Sequence, residues 1–397
     1  MSDSKISKKL PLFILMLNLF IAQIGQGMVM PILPDYLKQF NAAGAVAGYL
    51  ISVFGTAQFI VSPIGGKLSD KYGRRILILS GLFLTVVSDF IFAISNTLFL
   101  LYAARAIGGI GIGLMLPSVF AYVADITTNE TRAKGMGYIS AAMNFGVVLG
   151  PSLGGVISQF GIRVPYFFAS GLGFVATLLT FILPETLTVE KRNLLRSEKQ
   201  ESIVNQIIES FRKPYFRYLL LVFVMTFGVI SFQTVYSLFV ESKYGYTSQD
   251  VSILLTVGAL MGVIVQLLVI EKAIKFFGEH NLIRLSLLIT AIALLLMIVK
   301  VNFVYLIVIS AIFYAFNSFL RPTTTTLLSN AAGKDEQGFV SGLNTTYMSM
   351  GNIVGPVLAG GVFDKQINLP YVMSAIILFG AIFLVGKRKK VVLEANT

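Results

Sequence analysis

Gly-Val-Val-Leu-Gly-Pro-Ser-Leu-Gly-Gly, residues 146–155, returns with few changes 205 residues later as Gly-Asn-Ile-Val-Gly-Pro-Val-Leu-Ala-Gly, residues 351–360. The same offset pairs Gly73 with Gly278. A fixed offset that holds from an early loop to a late helix is the sequence signature of an internal duplication. The sequence therefore predicts two homologous halves.

The composition indicates that lipid is the main solvent of the chain. Of the 397 residues, 55% are hydrophobic and 13% are charged, and the mean hydropathy is +0.80. A transmembrane helix needs about 20 apolar residues, and apolar windows of that length fill most of the sequence. We predict an all-α membrane protein whose twelve transmembrane helices form two pseudo-symmetric six-helix bundles. The predicted spans are residues 10–33, 44–65, 76–95, 98–122, 136–159, 165–184, 218–240, 251–271, 282–300, 302–328, 339–362 and 369–386.

A charged segment separates the two predicted bundles. Residues 185–217 combine charges of both signs with Ser, Gln and Asn, a composition typical of a solvated connection. We predict an N-terminal bundle over residues 1–185, a cytoplasmic linker over 186–217, and a C-terminal bundle over 218–397 that ends in a basic tail. Part of the linker could form an amphipathic helix.

The net charge of +12 comes from 31 Lys and Arg against 19 Asp and Glu. Such a balance can indicate nucleic-acid binding, but the distribution of the charges along the chain favours a membrane protein. If both termini are cytoplasmic, 24 of the 31 basic residues lie inside and 5 lie outside, as the positive-inside rule requires. We predict a multi-pass protein of the plasma membrane with both termini cytoplasmic, in contact with lipid and not with nucleic acid.

Side chains for metal binding and covalent catalysis are scarce. The sequence has no Cys and a single His, His280. It therefore lacks disulfides, thiolate chemistry and the kind of ligand cluster that zinc requires. The sequence also shows no nucleotide-binding loop and no nucleophile–base pair. We expect no metal, no cofactor and no enzymatic activity.

Three short motifs carry a family resemblance: a glycine-rich connection after the second helix, an arginine followed by spaced glycines in the fourth, and a Pro-Glu-Thr end to the sixth. They are Gly65-Gly66-Lys67-Leu68-Ser69-Asp70-Lys71-Tyr72-Gly73-Arg74-Arg75, then Arg105 with Gly108, Gly109, Gly111 and Gly113, and Pro184-Glu185-Thr186. The first is predicted to be a short loop rich in turn glycines. Together the motifs resemble those of the major facilitator superfamily, which implies the fold predicted above.

Further motifs narrow the resemblance to the twelve-helix drug:proton antiporters. Residues 146–155 resemble the antiporter motif of the fifth helix, and residues 24–25 with 31–34 resemble a motif of the first. Residues 231–238 and 321–322 are similar to the quinolone and multidrug exporters of Gram-positive bacteria. This resemblance implies a multidrug efflux transporter that exports amphipathic drugs, such as quinolones and dyes, by exchange with protons through alternating access.

A proton-coupled exporter or symporter of a metabolite or sugar is the alternative, because a fold does not determine its cargo. The antiporter-like motif of the fifth helix argues against symport. The expected partners are small-molecule drugs or other amphipathic solutes, protons and membrane lipid. The protein is expected to be monomeric.

Two ridges of small residues are predicted to take part in gating, because small residues let neighbouring helices approach closely. We infer that the two helices that carry these ridges meet partners across the interface between the halves, where sliding is needed. Their residues are Gly146, Gly150, Pro151, Gly154 and Gly155 in the fifth helix, and Gly351, Gly355 and Pro356 in the eleventh.

A second set of gating residues lies at the cytoplasmic ends of the second to fourth helices. Asp70 stands four residues before Arg74, and Asp125 ends the fourth helix on the same face of the membrane. A cluster of these three charges is expected to hold the inner gate shut. The motif residues assigned to the same gate are Gly66, Gly73 and Arg75.

Asp89 and Arg105 are the predicted proton-coupling residues, since charges inside a bilayer are costly and suggest function. Each lies eight residues from Thr97, which places both about 12 Å along their helices and permits an ion pair. Alternation between paired and unpaired states would change how tightly the Asp89 carboxylate binds a proton. A permanently paired, structural couple is the alternative, and Asp35 is a weaker candidate carrier.

The chain departs from the quinolone exporters at two positions. Those exporters carry acidic residues in the seventh and tenth helices, where this sequence has Gln233 and Ser318. Proton coupling is therefore predicted to run through the N-terminal half.

The predicted substrate cleft combines amides and aromatic rings with one arginine, a mixture suited to broad recognition. Its residues are Gln23, Gln26, Asn144, Phe145, Phe232, Gln233, Tyr236, Gln266, Phe316, Asn317, Arg321, Asn344 and Tyr347. Exchange of a monovalent cation for one proton moves no net charge and gains nothing from the membrane potential. Neutral, zwitterionic or weakly charged cargo is therefore expected.

Overall fold

The computed structural model describes residues 3–42, 44–187, 203–332 and 336–386, which form helices and connections without a β-strand. The first half contains α1 (Asp3–Lys38), α2 (Gly44–Tyr72), α3 (Arg74–Ile94), α4 (Leu98–Ile126), α5 (Asn129–Ile157) and α6 (Val164–Thr180). A short helix, α7 (Ile203–Ser210), lies in the predicted linker. The second half contains α8 (Phe216–Tyr244), α9 (Ser248–Leu268), α10 (Ile270–Phe277), α11 (Glu279–Leu296), α12 (Phe303–Ala331), α13 (Gln337–Phe363) and α14 (Leu369–Ala381).

Twelve of the helices in the described part of the chain are transmembrane helices. Nine are long and apolar enough to span a bilayer. The shorter α6 and α14 are also apolar, and α13, with 27 residues, is about 40 Å long. Both α7 and α10 have eight residues and are too short to cross. The prediction of an all-α membrane protein with twelve transmembrane helices is confirmed.

The duplication is visible in the helix bounds. α4 and α12 begin and end 205 residues apart, and α3 and α11 begin with the same offset. Where α2 is one helix, its counterpart is divided at Val269 into α9 and α10. The predicted domain boundaries around residues 186–217 stay a prediction.

The chain packs into two compact units. Unit 1 holds the described residues of 1–201, 230–260 and 352–370, and unit 2 holds those of 202–229, 261–351 and 371–397. Unit 1 thus contains α1 to α6 together with parts of α8, α9 and α13. The distal end of the helices is the end at which α1, α3 and α5 finish, and the opposite end is the proximal end.

The glycine-rich motif after α2 is mostly helical. Residues 65–72 form the last two turns of α2, and Gly73 alone, with φ of 113°, separates α2 from α3. The prediction of a loop over the whole motif is therefore wrong. Gly65 serves helix packing instead of a turn, because an added Cβ would lie 2.6 Å from the Gly113 carbonyl oxygen of α4.

The ridge on α5 packs against α1. An added Cβ at Gly146 would lie 2.6 Å from the Phe20 carbonyl oxygen, and one at Gly150 would lie 2.7 Å from the Gly27 Cα. Gly154 faces the backbone of Met28 in the same way. These three glycines therefore pack α5 against α1 within the first half, and their part in gating stays a prediction.

The corresponding ridge on α13 packs against α8. In unit 2, an added Cβ at Gly351 would lie 3.0 Å from the Phe227 amide nitrogen. In unit 1, Ser231 donates a hydrogen bond of 3.2 Å to the Gly355 carbonyl oxygen. The two ridges therefore hold equivalent helix pairs, α1 with α5 and α8 with α13. The same two helices also meet the other half, because Gly155 of α5 faces Ser252 of α9 and Pro356 of α13 faces Gly48 of α2.

Gly150→Ala is expected to lower the unfolding temperature of the purified protein, because the new methyl group meets backbone atoms of α1 that cannot turn away. Overpacking of this kind costs about 1–3 kcal/mol. Gly137→Ala is the matched control on the same helix, since nothing lies within 4 Å of its new Cβ. Equal unfolding temperatures for the two variants in detergent would contradict the α1–α5 contact.

Candidate functional site

A small enclosed cavity lies inside the first half. Asp89 of α3 and Arg105 of α4 both line it, together with Gln26 of α1. Its volume of about 30 Å³ is enough for a water molecule. The two charged groups interact electrostatically across the cavity without a direct hydrogen bond within the described residues. Sequence reasoning placed Asp89 and Arg105 at equal depth, and the structure places them in one cavity.

Close contact between α3 and α4 brings these two side chains together. Ser88 donates a hydrogen bond of 2.7 Å to the Ala104 carbonyl oxygen. An added Cβ at Gly108 would lie 2.6 Å from the Ser88 Oγ. The glycines that follow Arg105 therefore allow α4 to pack closely enough for Arg105 to reach the cavity.

An aromatic layer covers the distal side of the cavity. The Arg105 guanidinium lies over the Phe92 ring, 4.6 Å from its centroid, as in a cation–π contact. Phe92 stacks on Tyr166 with centroids 4.4 Å apart, and the Tyr36 hydroxyl donates a hydrogen bond of 2.6 Å to the Phe92 carbonyl oxygen. All three rings are buried. The layer thus separates the charged cavity from the distal end.

The distal ends of α2 and α13 are in contact within unit 1. The Asp364 carboxylate accepts hydrogen bonds of 2.8 and 2.9 Å from the amides of Gly44 and Ala45, at the start of α2. Asp364 thereby caps α2, because it accepts hydrogen bonds from backbone amides that have no partner within the helix. Further along, Ser52 donates a hydrogen bond of 2.6 Å to the Ile353 carbonyl oxygen. The distal end of α2 is thereby held to a helix of the second half.

The distal ends of α5 and α9 are also in contact. The hydroxyls of Ser152 and Thr256 lie 2.6 Å apart. Gly155 faces the Ser252 side chain closely, and a Cβ there would overlap it. One face of α5 therefore holds α1 through its ridge, and the neighbouring face meets the second half through Gly155.

Charged side chains at the distal rim, the outermost turn of these helices in unit 1, surround the contacts of α2 with α13 and of α5 with α9. Lys38 pairs with both Asp35 and Glu241, and Asp35 also accepts a hydrogen bond from Ser248. These groups line an open pocket of about 590 Å³. Asp35, the weaker candidate proton carrier, therefore lies at the distal rim and not in the cavity of Asp89.

A charged cluster lies at the proximal end of the first half. Arg74 pairs with Asp70 of α2 and, at 3.3 Å, with Asp125 of α4. Arg74 and Asp125 are nearly buried, whereas Asp70 is partly exposed. The Arg75 guanidinium donates a hydrogen bond of 2.6 Å to the Phe181 carbonyl oxygen. These contacts connect the proximal ends of the N-terminal helices. Gly66, which was assigned to the same gate, makes no close contact, because nothing lies within 4 Å of an added Cβ there.

Glu185 completes the proximal cluster, although sequence reasoning did not assign it to the site. Its carboxylate accepts hydrogen bonds of 2.9 and 3.1 Å from the amides of Arg74 and Arg75, at the start of α3. Thr186 donates a hydrogen bond of 3.1 Å to Asp125. The Pro-Glu-Thr motif was the one sequence signal that pointed to Glu185. The structure shows its role, which is to cap a helix that begins 111 residues earlier.

The predicted cargo residues fall into two groups by exposure. Ten are partly or fully exposed within the described residues: Gln23, Gln26, Asn144, Phe145, Gln233, Gln266, Phe316, Asn317, Arg321 and Asn344. Three are buried: Phe232, Tyr236 and Tyr347. Phe232 and Tyr236 pack edge to face with centroids 5.0 Å apart. Gln26 lines the cavity of Asp89.

Tyr347 connects α13 to the short helix α7. Its hydroxyl lies 2.7 Å from the Ser210 hydroxyl. Next to this contact, Lys213 forms ion pairs of 2.8 Å with Glu209 and 2.7 Å with Glu336. The hydrogen bond from Lys213 lowers the pKa of the Glu336 carboxyl. These contacts give Tyr347 a packing role in unit 2.

Comparison with known sequences places this helical arrangement in a family. A sequence profile described as Major Facilitator Superfamily matches residues 15–273 and 244–394. The chain belongs to the Major Facilitator Superfamily. Its twelve transmembrane helices and its duplicated halves are therefore those of a transporter family.

Relatives in the Major Facilitator Superfamily match nearly the whole chain. "Multidrug resistance protein 2" of Bacillus subtilis is 37% identical over 390 residues, 97% of each chain. "Quinolone resistance protein NorA" of Staphylococcus aureus is 37% identical over 364 residues, 91% of this chain and 92% of the relative. The resemblance to the multidrug-exporter branch is confirmed.

Solved structures of other Major Facilitator Superfamily transporters share the fold. The nucleoside transporter NupG superposes with a TM-score of 0.76 at 14% identity, over 96% of this chain and 100% of its own. The human organic anion transporter MFSD10 gives a TM-score of 0.68 at 20% identity, over 96% of this chain and 99% of its own. At these identities the likeness supports the fold alone.

Proposed function

We propose that this protein exports amphipathic drugs, such as quinolones and dyes, across the plasma membrane in exchange for protons. The observation that carries the proposal is the identity of 37% over nearly the full length to a multidrug resistance protein. The similarly close quinolone resistance protein supports the same cargo class. The glycine-rich motif of α5 agrees with an antiporter.

The proposed orientation puts both termini in the cytoplasm. The proximal end, with Arg74 and Arg75, then faces the cytoplasm, and the distal end, with Lys38 and Asp364, faces the outside. The support is the excess of Lys and Arg in segments at the proximal end. In this orientation the contacts of α2 with α13 and of α5 with α9 form an outer gate, which is closed in unit 1.

Transport proceeds by alternating access, in which the outer gate opens when an inner gate closes. Asp89 is the proposed proton carrier. The small cavity places Asp89 near Arg105 without a direct hydrogen bond, so a modest movement can pair or separate the two charges. Separation favours proton binding and pairing favours release. The buried ring of Phe92 supports the proposal, because it covers the outer side of the cavity.

The exposed amides and aromatic rings named above form the proposed cargo site. Gln233 and Ser318 stand where the quinolone exporters carry acidic residues, so coupling is proposed to depend on the first half alone. The protein is proposed to act as a monomer.

Asp70→Asn is expected to leave the protein folded and to slow transport, if the charged cluster helps to shut the inner gate. The variant keeps the shape of the side chain and removes one of the two carboxylates that pair with Arg74. A loss of about 2–10-fold in rate corresponds to the 0.5–1.5 kcal/mol of one partly exposed charged contact. Glu130→Gln, an exposed acidic residue at the same end, is the control. Wild-type uptake rates in Asp70→Asn vesicles would contradict the gate.

The experiment that tests the function is a drug panel in a host that lacks its own efflux pumps, with and without a protonophore. The proposal predicts raised resistance to quinolones and cationic dyes that disappears when the proton gradient collapses. Resistance that survives the protonophore would exclude proton exchange. Normal drug susceptibility, together with proton-coupled uptake of a sugar or metabolite, would support the symporter alternative.

A further inference from the structure

The charges inside the membrane do not balance. Asp89 is the one acidic residue of the described helices that lies away from a first or last turn. Arg105 shares its cavity. Arg321 of α12 is a further cation at membrane depth, ten residues before the helix ends at Ala331. Ten residues correspond to about 15 Å, half the thickness of the hydrocarbon core.

Arg321 has no partner among the described residues. It forms no ion pair or hydrogen bond there. Its side chain is exposed. An exposed cation in a transmembrane helix faces a water-filled path and not lipid, because the hydrocarbon core excludes charge. Arg321 is therefore accessible from water in this conformation.

A polar stripe on α12 surrounds Arg321. Asn317, Arg321 and Thr325 follow one another at intervals of four residues, with Ser318 beside them, and none of them is buried. The Ser318 hydroxyl donates back to the Ala315 carbonyl oxygen at 2.7 Å. The stripe thus offers amide and hydroxyl groups and contains no carboxylate.

The helices packed against α12 in unit 2 bring no carboxylate to this level either. α9 approaches at Gly262, where an added Cβ would lie 3.5 Å from the Tyr314 carbonyl oxygen and 3.8 Å from the Ser318 Cβ. One turn further along α9 is Gln266, which is exposed. α8 approaches at Met225, whose sulfur accepts a hydrogen bond of 3.9 Å from Thr324. The neighbours at this level supply an amide and a thioether.

An unpaired guanidinium that water can reach at this depth is free to bind an anion, and the low dielectric of its surroundings strengthens that attraction. The planar guanidinium has five donors and matches a carboxylate through two parallel hydrogen bonds. We propose that Arg321 is a recognition site for the carboxylate of amphipathic cargo, so that this protein prefers carboxylate-bearing solutes to cations. The proposal rests on the export function above and specifies its substrate class.

The energetics of exchange favour the same class. Export of a monovalent anion against one inward proton moves two positive charges inward, so the membrane potential and the pH gradient both drive it. Export of a monovalent cation against one proton gains only from the pH gradient. A protein that has one embedded carboxylate for coupling can therefore concentrate an anion more effectively than a cation.

The test compares norfloxacin, its methyl ester and ethidium as probes in proteoliposomes with an imposed pH gradient, after subtraction of protein-free liposomes. We expect wild-type protein to transport norfloxacin with a kcat/KM about tenfold above that of the ester, which lacks the carboxylate. Arg321→Gln should raise the KM for norfloxacin about tenfold while the KM for the ester stays within about twofold, as expected for the loss of one charged contact. Arg321→Lys keeps the charge and should retain part of the preference.

A gain of function provides an independent measurement. Ser318→Asp places a carboxylate one turn from Arg321, where an ion pair can form. This variant should lose the preference for norfloxacin and transport ethidium better than the wild type does. Equal transport of norfloxacin and its ester by wild-type protein, or an equal loss of both in a folded Arg321→Gln variant, would overturn the carboxylate site. If wild-type protein moved none of the three probes against a gradient, the export function itself would be wrong.

Discussion

Replacing Asp89 by Asn is expected to abolish the accumulation of drug against a gradient while leaving exchange of drug across the membrane. Asn has nearly the shape of Asp but cannot carry a proton, and Asp89 is the one carboxylate that lines the cavity beside Arg105. Wild-type protein should accumulate a neutral drug about tenfold per pH unit, since one pH unit is worth about 1.4 kcal/mol. The variant should stop at equal concentrations.

The measurement is uptake into inverted vesicles with an imposed pH gradient, followed by drug counterflow without one. Asp89→Glu is the matched control, because it keeps the carboxyl group and should retain part of the accumulation. Counterflow in Asp89→Asn separates uncoupling from misfolding. Wild-type accumulation by Asp89→Asn would remove Asp89 from the mechanism and would favour a structural role for the pair.

A disulfide between Cys residues at positions 152 and 256 is expected to stop transport almost completely and reversibly. The hydroxyls of Ser152 and Thr256 lie 2.6 Å apart, so thiols at these two positions would lie within reach of each other. The double variant Ser152→Cys, Thr256→Cys should therefore form the bond under mild oxidation. Because α5 and α9 would then stay together at the distal end, the outer gate could not open to release cargo.

The natural chain contains no Cys, so the two introduced thiols are the only ones present and no background substitutions are needed. Each single variant should transport normally under oxidation, and dithiothreitol should restore the cross-linked double variant. Transport that continues in fully cross-linked protein would show that this contact does not open during the cycle. Failure of the two thiols to react would contradict the closed distal end.

The sequence predicted the number and order of the transmembrane helices. Long apolar windows mark the segments that lie in lipid, and the 205-residue repeat shows that the second half copies the first. The sequence predicted the helix ends less well. Residues 65–72 were expected to form a loop because Gly65 and Gly66 are typical of turns, yet they belong to α2. Gly65 allows α4 to pack closely against α2. In a sequence, a glycine required by a close helix contact cannot be distinguished from a glycine required by a turn.

Contacts between distant segments were the part that the sequence could not supply. Spacing put Asp89 and Arg105 at the same depth, but the Phe92 ring that covers them could not be inferred from periodicity. The two helix caps by Glu185 and Asp364 join residues 111 and 320 positions apart. A single sequence contains no signal for such pairs, since each acidic residue also reads as an ordinary solvated charge.

The distal closure depends largely on backbone surfaces that Gly44, Gly48 and Gly155 leave bare. Van der Waals contact between such surfaces does not change with ionic strength, whereas the exposed pair of Lys38 and Glu241 is screened over about 8 Å at physiological salt. If the distal end is the outer gate proposed above, a change in the external salt concentration would leave it closed. At high salt the van der Waals contacts at these glycines would persist, whereas the ion pair of Lys38 and Glu241 would weaken.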